Sequence, residues 1–345
     1  MSVTKRHHYV PRFYLRRFAD EQQRLRVYRA HSQLPPIITA VKDAAVRTGF
    51  YKLDLTGPGD PTILENELAK IEAASAKVIQ RVCSARSWPP TQPDRGVLAT
   101  HMGLQYMRTP EKRRSHEEMA DTIEKVFYEN MTADWARERL MEIGESPTED
   151  RIALIMDISE HPDRYRFVLH PNEFLRSMVT VGLEVARLLG ERSWWLGTSP
   201  GPAFATGDHL PVLFTRPEMR QPFKGVGLQG AEEIHFPLDR HHVLLMFPPG
   251  MPEKAFVLER DNVTFTNSLI ASSSHRFVFR HPDDPPIDFM IPKDPRSLME
   301  VNQKPVYEVD ARTRTQLAPI FSPFFAKLGP PQVDEVIRDA QEDQA

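Results

Sequence analysis

Cysteine is almost absent: Cys83 is the only one among 345 residues, so no disulfide can form within the chain, which suits a reducing cytoplasm. Ala76, Val78, Ile79 and Val82 share a helical apolar context with it, and the thiol reads as a small buried hydrophobe rather than a nucleophile. Long apolar runs are missing too. No stretch reaches the roughly eighteen residues that a membrane span needs, and the basic, aromatic start holds no apolar signal core, so neither a membrane partner nor export is expected. Glycine is scarce, 16 against 31 prolines. No glycine-rich phosphate loop and no His-Glu-x-x-His zinc motif is present, which removes the two strongest short signatures of nucleotide and zinc chemistry. A formal net charge of -3 argues against a chain-wide electrostatic grip on nucleic acid, so any such partner must be held by a local basic face.

What is present is concentrated near the start. In His7-His8-Tyr9-Val10-Pro11-Arg12-Phe13-Tyr14-Leu15-Arg16-Arg17-Phe18 the aromatics Phe13, Tyr14 and Phe18 would expose a large apolar patch unless they packed, so the segment is built into the body. Pro11 fits the first position of a helix running to Phe18, with Arg12, Arg16 and Arg17 on its other sides. His7 and His8 then precede a helix N-terminus, whose free N–H groups favour anions. Two adjacent imidazoles serve equally as acid/base or metal-ligating groups and as a polar hinge.

Further along, Arg24-Leu25-Arg26-Val27-Tyr28 alternates as a half-buried strand, and Phe50-Tyr51-Lys52-Leu53 reads as a second one. Thr62 with Glu65 forms a capping box for a helix reaching about Ala85, on which Glu65 and Glu72 share a face about 10 Å apart along the axis. After Trp88-Pro89-Pro90, Asp94 is placed to cap a helix through Arg108. Thr109-Pro110 ends it, and a long charged helix follows to about Ile143. His101, Gln105 and Arg108 make one polar stripe, which must be a hydrogen-bond network or a site. Helices are also expected over Arg151–Ile158 and Pro171–Gly190. From Ser193 the texture changes to short aromatic and branched runs punctuated by Pro, Gly, Asp and Asn, with one helix near Asn262–Ser274. Helices segregated before strands imply an α+β fold: an N-terminal arm and helical bundle, then a mainly antiparallel sheet. Residues 1–281 are expected to be one domain, helical over about 60–192 and sheet over about 193–281, with 282–345 a proline-rich extension ending in a polar helix or tail.

Four blocks, His7-His8-Tyr9-Val10-Pro11 with Tyr14-Leu15 and Phe18, Phe50-Tyr51, Glu65 with Leu68/Ile71-Glu72, and Gln105 with Arg108-Thr109-Pro110, together resemble the bacterial domain-of-unknown-function family 4238. Thr206-Gly207-Asp208-His209-Leu210-Pro211-Val212 looks like that family's Thr-x-Asp-x-Pro-Val signature with one extra residue. Phe236-Pro237-Leu238, Thr266-Asn267-Ser268 and Arg276-Phe277-Val278 resemble its later elements. The resemblance spans about residues 5–281 and implies no reaction.

The polar signature residues lie within apolar elements, as the lining of a cleft would. One function they fit is a divalent-metal-assisted nuclease or phosphodiesterase. There His7, His8, Glu65, Glu72 and Asp208 are the catalytic set, with His8 and Asp208 holding the metal and a glutamate acting as base, while Arg12, Arg16, Gln105 and Arg108 bind the substrate phosphate. The alternative is a non-catalytic binding or effector protein, in which Arg108 pairs with Glu65 or Glu72 and His8 with Asp208 as a structural network. A third reading rests on Arg95 and His101, whose spacing resembles that of HEPN-type helical ribonucleases. His235, His241 and His242 read as solvated turn residues between strands.

Overall fold

The computed structural model describes residues 6–286 apart from 31, 33, 56–58, 85–87, 130, 202, 217–218 and 220–226. The terminal helix or tail expected at 330–345, and all of the proline-rich extension past 286, lie outside the described residues. Those described fall into two compact units, one taking the residues up to Ala120 and from Val168 onward, the other Asp121–Phe167.

The first unit opens with strand β1 (Arg6–His8) and then helix α1 (Arg12–Leu15), which tightens into a 3-10 turn over Arg16–Phe18. Pro11 stands outside that helix in extended backbone, at φ -58 and ψ 141. The expected helix to Phe18 is therefore a single α turn. The Asp20 carboxylate and backbone N–H both bond Arg24, starting a turn in which Gln23 sits at φ 59 and which launches β2 (Arg24–Arg29). Along β2 the buried positions are Leu25 and Val27, the period-two alternation legible in the sequence. Strand β3 (Ile37–Ala40) pairs with it, and β4 (Val46–Thr48) pairs with β1. Phe50–Leu53 is not a strand: Gly49 adopts a left-handed φ of 66 and ends β4, so Phe50 and Tyr51 both turn inward, where strand neighbours would face opposite sides.

Helix α2 (Ile63–Cys83) buries Leu68, Ser75, Val78, Ile79 and Val82. The Thr62–Glu65 capping box does not form, because the Thr62 N–H and hydroxyl both donate to Asp60 Oδ1 at 2.8 and 2.6 Å, and Glu65 is left to bond elsewhere. Helix α3 (Gln92–Met107) is capped by Thr91, whose hydroxyl accepts the Asp94 N–H; the expected cap at Asp94 therefore lies inside the first turn. Helix α4 (Pro110–Tyr128) begins where the Thr109 hydroxyl accepts the Lys112 N–H.

The expected helix to Ile143 stops at Tyr128, since Thr132, in extended backbone, starts α5 (Ala133–Glu142) by accepting the Trp135 N–H. In the second unit α5 is followed by α6 (Glu149–Glu160), and Tyr128 stacks on Phe167 with centroids 5.1 Å apart.

In the first unit α7 (Pro171–Glu191) packs along α3, and the strand-rich part follows: β5 (Ser193–Thr198), β6 (Thr206–Gly207), β7 (Val212–Phe214), β8 (Glu233–Pro237), β9 (His242–Phe247), β10 (Lys254–Val257), α8 (Arg260–Ser273) and β11 (Phe277–Arg280). One sheet has the order β10-β5-β9-β8-β7, antiparallel except for the β10–β5 pair. A second has the order β3-β2-β11-β6, so the first strands of the chain close against the last. The fold is α+β, with the helices central in the chain and most strands after them. The N-terminal arm is locked into the core: Tyr14 and Phe18 are fully buried and Phe13 partly so, and the Tyr14 hydroxyl donates to the Pro237 carbonyl at 2.6 Å while lying 2.9 Å from the Thr206 hydroxyl. No helix among the described residues is long and apolar enough to cross a membrane.

Candidate functional site

Polar side chains from β1, α2 and α3 meet at one place in the first unit. His7, only 4% exposed, accepts the Tyr51 backbone N–H on Nδ1 at 2.8 Å and lies stacked on the Tyr51 ring, 5.5 Å between centroids. An Nδ1 that accepts carries no hydrogen, so in the neutral ring the proton sits on Nε2. That atom lies 3.2 Å from Glu65 Oε2. The backbone of the turn after β4 thus fixes the ring with its Nε2 on the Glu65 side, where that atom is buried and makes no hydrogen bond among the described residues.

Two residues before Pro110, Arg108 is 1% exposed, donates from Nε to Gln105 Oε1 at 3.0 Å and from Nη1 to Glu72 Oε1 at 2.9 Å. Gln105, fully buried, passes the network on by donating to the Tyr9 carbonyl at 3.2 Å. Arg108 Nη2 is buried without a hydrogen-bond partner among the described residues. Burial pushes the Tyr51 hydroxyl upward, Arg108 pulls it down, and Glu72 and Glu65 push it up again, so all three charges surround one phenol. The two carboxylates are the solvent-facing part of the cluster, with side chains 36% (Glu65) and 27% (Glu72) exposed above the buried guanidinium.

Of the residues singled out in the sequence, the structure brings together His7, Glu65, Glu72, Gln105 and Arg108. His8, Asp208, Arg12 and Arg16 stand elsewhere. Successive residues of a strand face opposite sides, and His8 therefore turns away from His7. Burial and the nearby Arg12 lower its pKa, while the backbone of Val41 and Lys42 raises it. Asp208 accepts three backbone N–H groups, from His275 at 2.9 Å on Oδ1 and from Arg276 and Phe277 at 2.8 and 3.0 Å on Oδ2. Its pKa is nonetheless raised to about 6, burial outweighing those bonds. Among the described residues no hydrogen bond or ion pair joins it to His8. Arg12 and Arg16 are exposed on the outer side of the arm.

Arg95 and His101 also diverge. Arg95 binds the Gly190 carbonyl and Glu253 at 2.8 and 2.6 Å and covers the Trp194 ring. His101 lies among the Phe13, Tyr14 and Phe236 rings, where burial, with Arg108 second, drives its pKa down to about 3. Tyr51 and the Tyr9 carbonyl are the members of the cluster that sequence reasoning missed. The available signal was Gly49 beside two aromatics, which marks a turn burying both rings.

Elsewhere among the described residues, Cys83, Asp239 and His242 form a group of candidate metal ligands whose ligand atoms all lie within 4.8 Å of one another.

Compared with known proteins, the chain matches no curated protein and no solved structure. A family model described as "Protein of unknown function (DUF4238)" matches residues 6–284, a span that includes every member of the His7–Arg108 cluster. The chain belongs to the DUF4238 family.

Proposed function

We propose that the cluster of His7, Glu65, Glu72 and Arg108 hydrolyses a phosphodiester with the help of a divalent cation. The observation that carries this is the His7 ring, held by the Tyr51 N–H so that Nε2 faces Glu65 at 3.2 Å. A partly exposed carboxylate held close to a fixed imidazole is placed to act as a general base, and the His7 Nε2, buried without a hydrogen-bond partner of its own, is left free for the reacting water or phosphate. Two carboxylates outnumber the one guanidinium, so a phosphate approaches only with a cation. Glu72 is a hard oxygen ligand of the kind that shares Mg²⁺ with a substrate phosphate. With Asp208 committed to backbone N–H groups, Glu72 takes over the metal role first given to His8 and Asp208, and Glu65, two turns away on the same helix, is left as the base. The step balances simply: Glu65 takes a proton from water as its oxygen bonds to phosphorus, the ester P–O bond breaks, and the proton returns to the departing alkoxide. Arg108 Nη2, with no partner of its own, offers a donor for the charge that builds on the phosphoryl oxygens. Nucleic acid is the substrate class to try first.

A second reading has its own observation. Arg108 is already paired with Glu72 and Gln105, and Gln105 with Tyr9, which is how a purely structural clamp on the N-terminal arm would look. Glu65→Gln separates the two. In the catalytic reading it leaves the thermal midpoint nearly unchanged and lowers Mg²⁺-dependent cleavage of labelled DNA or RNA about 10²–10⁴-fold. Wild-type protein that cleaves neither polymer in Mg²⁺ or Mn²⁺ establishes the clamp instead.

A further inference from the structure

Cys83 closes α2, Asp239 lies in the turn between β8 and β9, and His242 opens β9. Each is partly buried, and one thiol, one carboxylate and one imidazole atom lie within 4.8 Å of one another. We propose that Cys83, Asp239 and His242 form a zinc site, separate from the His7–Arg108 cluster.

The geometry is organised ahead of any ion. Asp239 Oδ1 accepts the backbone N–H groups of His241 and His242 at 2.8 and 2.9 Å and lies 2.8 Å from His242 Nδ1. On its other side Asp239 Oδ2 meets Arg17 Nη2 at 3.3 Å, and Arg17 Nε donates to the Leu238 carbonyl at 2.8 Å, which holds both the carboxylate and the turn. The carboxylate is therefore fixed before binding, and the imidazole is fixed against it. Two hydrogens must move when the ion arrives: the thiol hydrogen leaves for solvent, and the one shared by His242 Nδ1 and Asp239 Oδ1 leaves that bond for solvent or for the other ring nitrogen.

The donor set selects the metal. A thiolate with an imidazole is too soft for Mg²⁺ or Ca²⁺ and suits Zn²⁺; three protein ligands leave a fourth position for water. Arg17 offsets part of the negative charge and so limits how tightly a cation is held. The same three groups do not make a cysteine nucleophile, because the carboxylate reaches both the thiol and the imidazole rather than standing behind the imidazole as the third member of a relay.

The sequence allows an unambiguous test, since Cys83 is the only cysteine. The full-length protein, stripped with chelator, is titrated with Co²⁺ as a spectroscopic substitute and with Zn²⁺ in competition. The site predicts one Co²⁺ per chain with an intense thiolate-to-cobalt charge-transfer band, abolished by an equivalent of Zn²⁺. Cys83→Ser removes the band, and His242→Ala weakens Zn²⁺ binding by about tenfold or more. His241→Ala, whose ring instead approaches the Ser199 carbonyl, leaves both unchanged. Folding of each variant is checked by its thermal midpoint, and Zn²⁺ protection of the wild-type thiol from alkylation gives a readout that needs no variant. Cobalt bound without a charge-transfer band, or a thiol alkylated equally fast with and without Zn²⁺, overturns the proposal.

Discussion

Arg108 is the residue whose loss the fold should feel most. It is 1% exposed and ties Gln105 to Glu72, so Arg108→Met leaves a carboxylate and a buried amide without their donor. Removing one member of a buried pair costs about 3 kcal/mol or more, and the partial exposure of Glu72 keeps this site at the lower end. Urea denaturation midpoints check it; a loss below about 0.5 kcal/mol, the scale of an ordinary surface substitution, contradicts the network. How much of the cluster was legible in the sequence is clearest at this scale. Helical spacing alone put Gln105 and Arg108 on one stripe and Glu65 and Glu72 on another. The choice between His7 and His8 was not legible, because it depends on whether the segment is helix or strand. Pro11 suggested a helix just downstream, whereas Arg6–His8 pairs with Val46–Thr48, and the strand's period sends only one imidazole to the site. Asp208 shows the converse: a carboxylate in a motif drew attention, but its role is to collect backbone N–H groups, and nothing in the sequence says which N–H groups will be near.

At the scale of elements, α3 and α7 approach backbone to backbone. A Cβ on Gly103 would stand 2.2 Å from the Gly182 carbonyl and 2.6 Å from the Ala186 nitrogen. Gly103→Ala should thus destabilise by about 1–3 kcal/mol through overpacking, although alanine favours an isolated helix by about 1 kcal/mol. A variant at least as stable as wild type would mean that the helices do not approach this closely. Helix and strand content was legible because amphipathic periods survive tertiary packing; the stops were not. Thr91 rather than Asp94 and Thr132 rather than an unbroken α4–α5 depend on which hydroxyl meets a free N–H, a matter of a single bond. The pairing of β2 with β11 joins Tyr28 to Val278, a separation that local patterns do not encode.

At the scale of the whole molecule, buried imidazoles govern the response to acid. His101 titrates near 3 in the folded protein against about 6.5 unfolded. The unfolded chain thus binds the extra proton first, and stability that is complete above pH 6.5 is lost as pH falls from there toward 3. From this residue the loss is about 2 kcal/mol at pH 5. Burial lowers His8, His116 and His209 in the same sense. Asp208 opposes them, because its raised pKa of about 6 makes protonation below that value favourable to the fold. His101→Phe should flatten the fall in unfolding free energy between pH 7 and 5, and an unchanged slope contradicts the burial of that ring. The central claim is that the fold brings His7, and not His8, to the proposed reaction centre with Glu65 and Arg108. Its most direct measurement is the Mg²⁺-dependent rate of cleavage of labelled DNA and RNA by wild type, His7→Gln and His8→Gln at matched folded concentration. The account predicts chelator-sensitive cleavage that His7→Gln lowers about a hundredfold or more and His8→Gln leaves within about twofold. Equal losses in both variants, or a loss confined to His8→Gln, would contradict it.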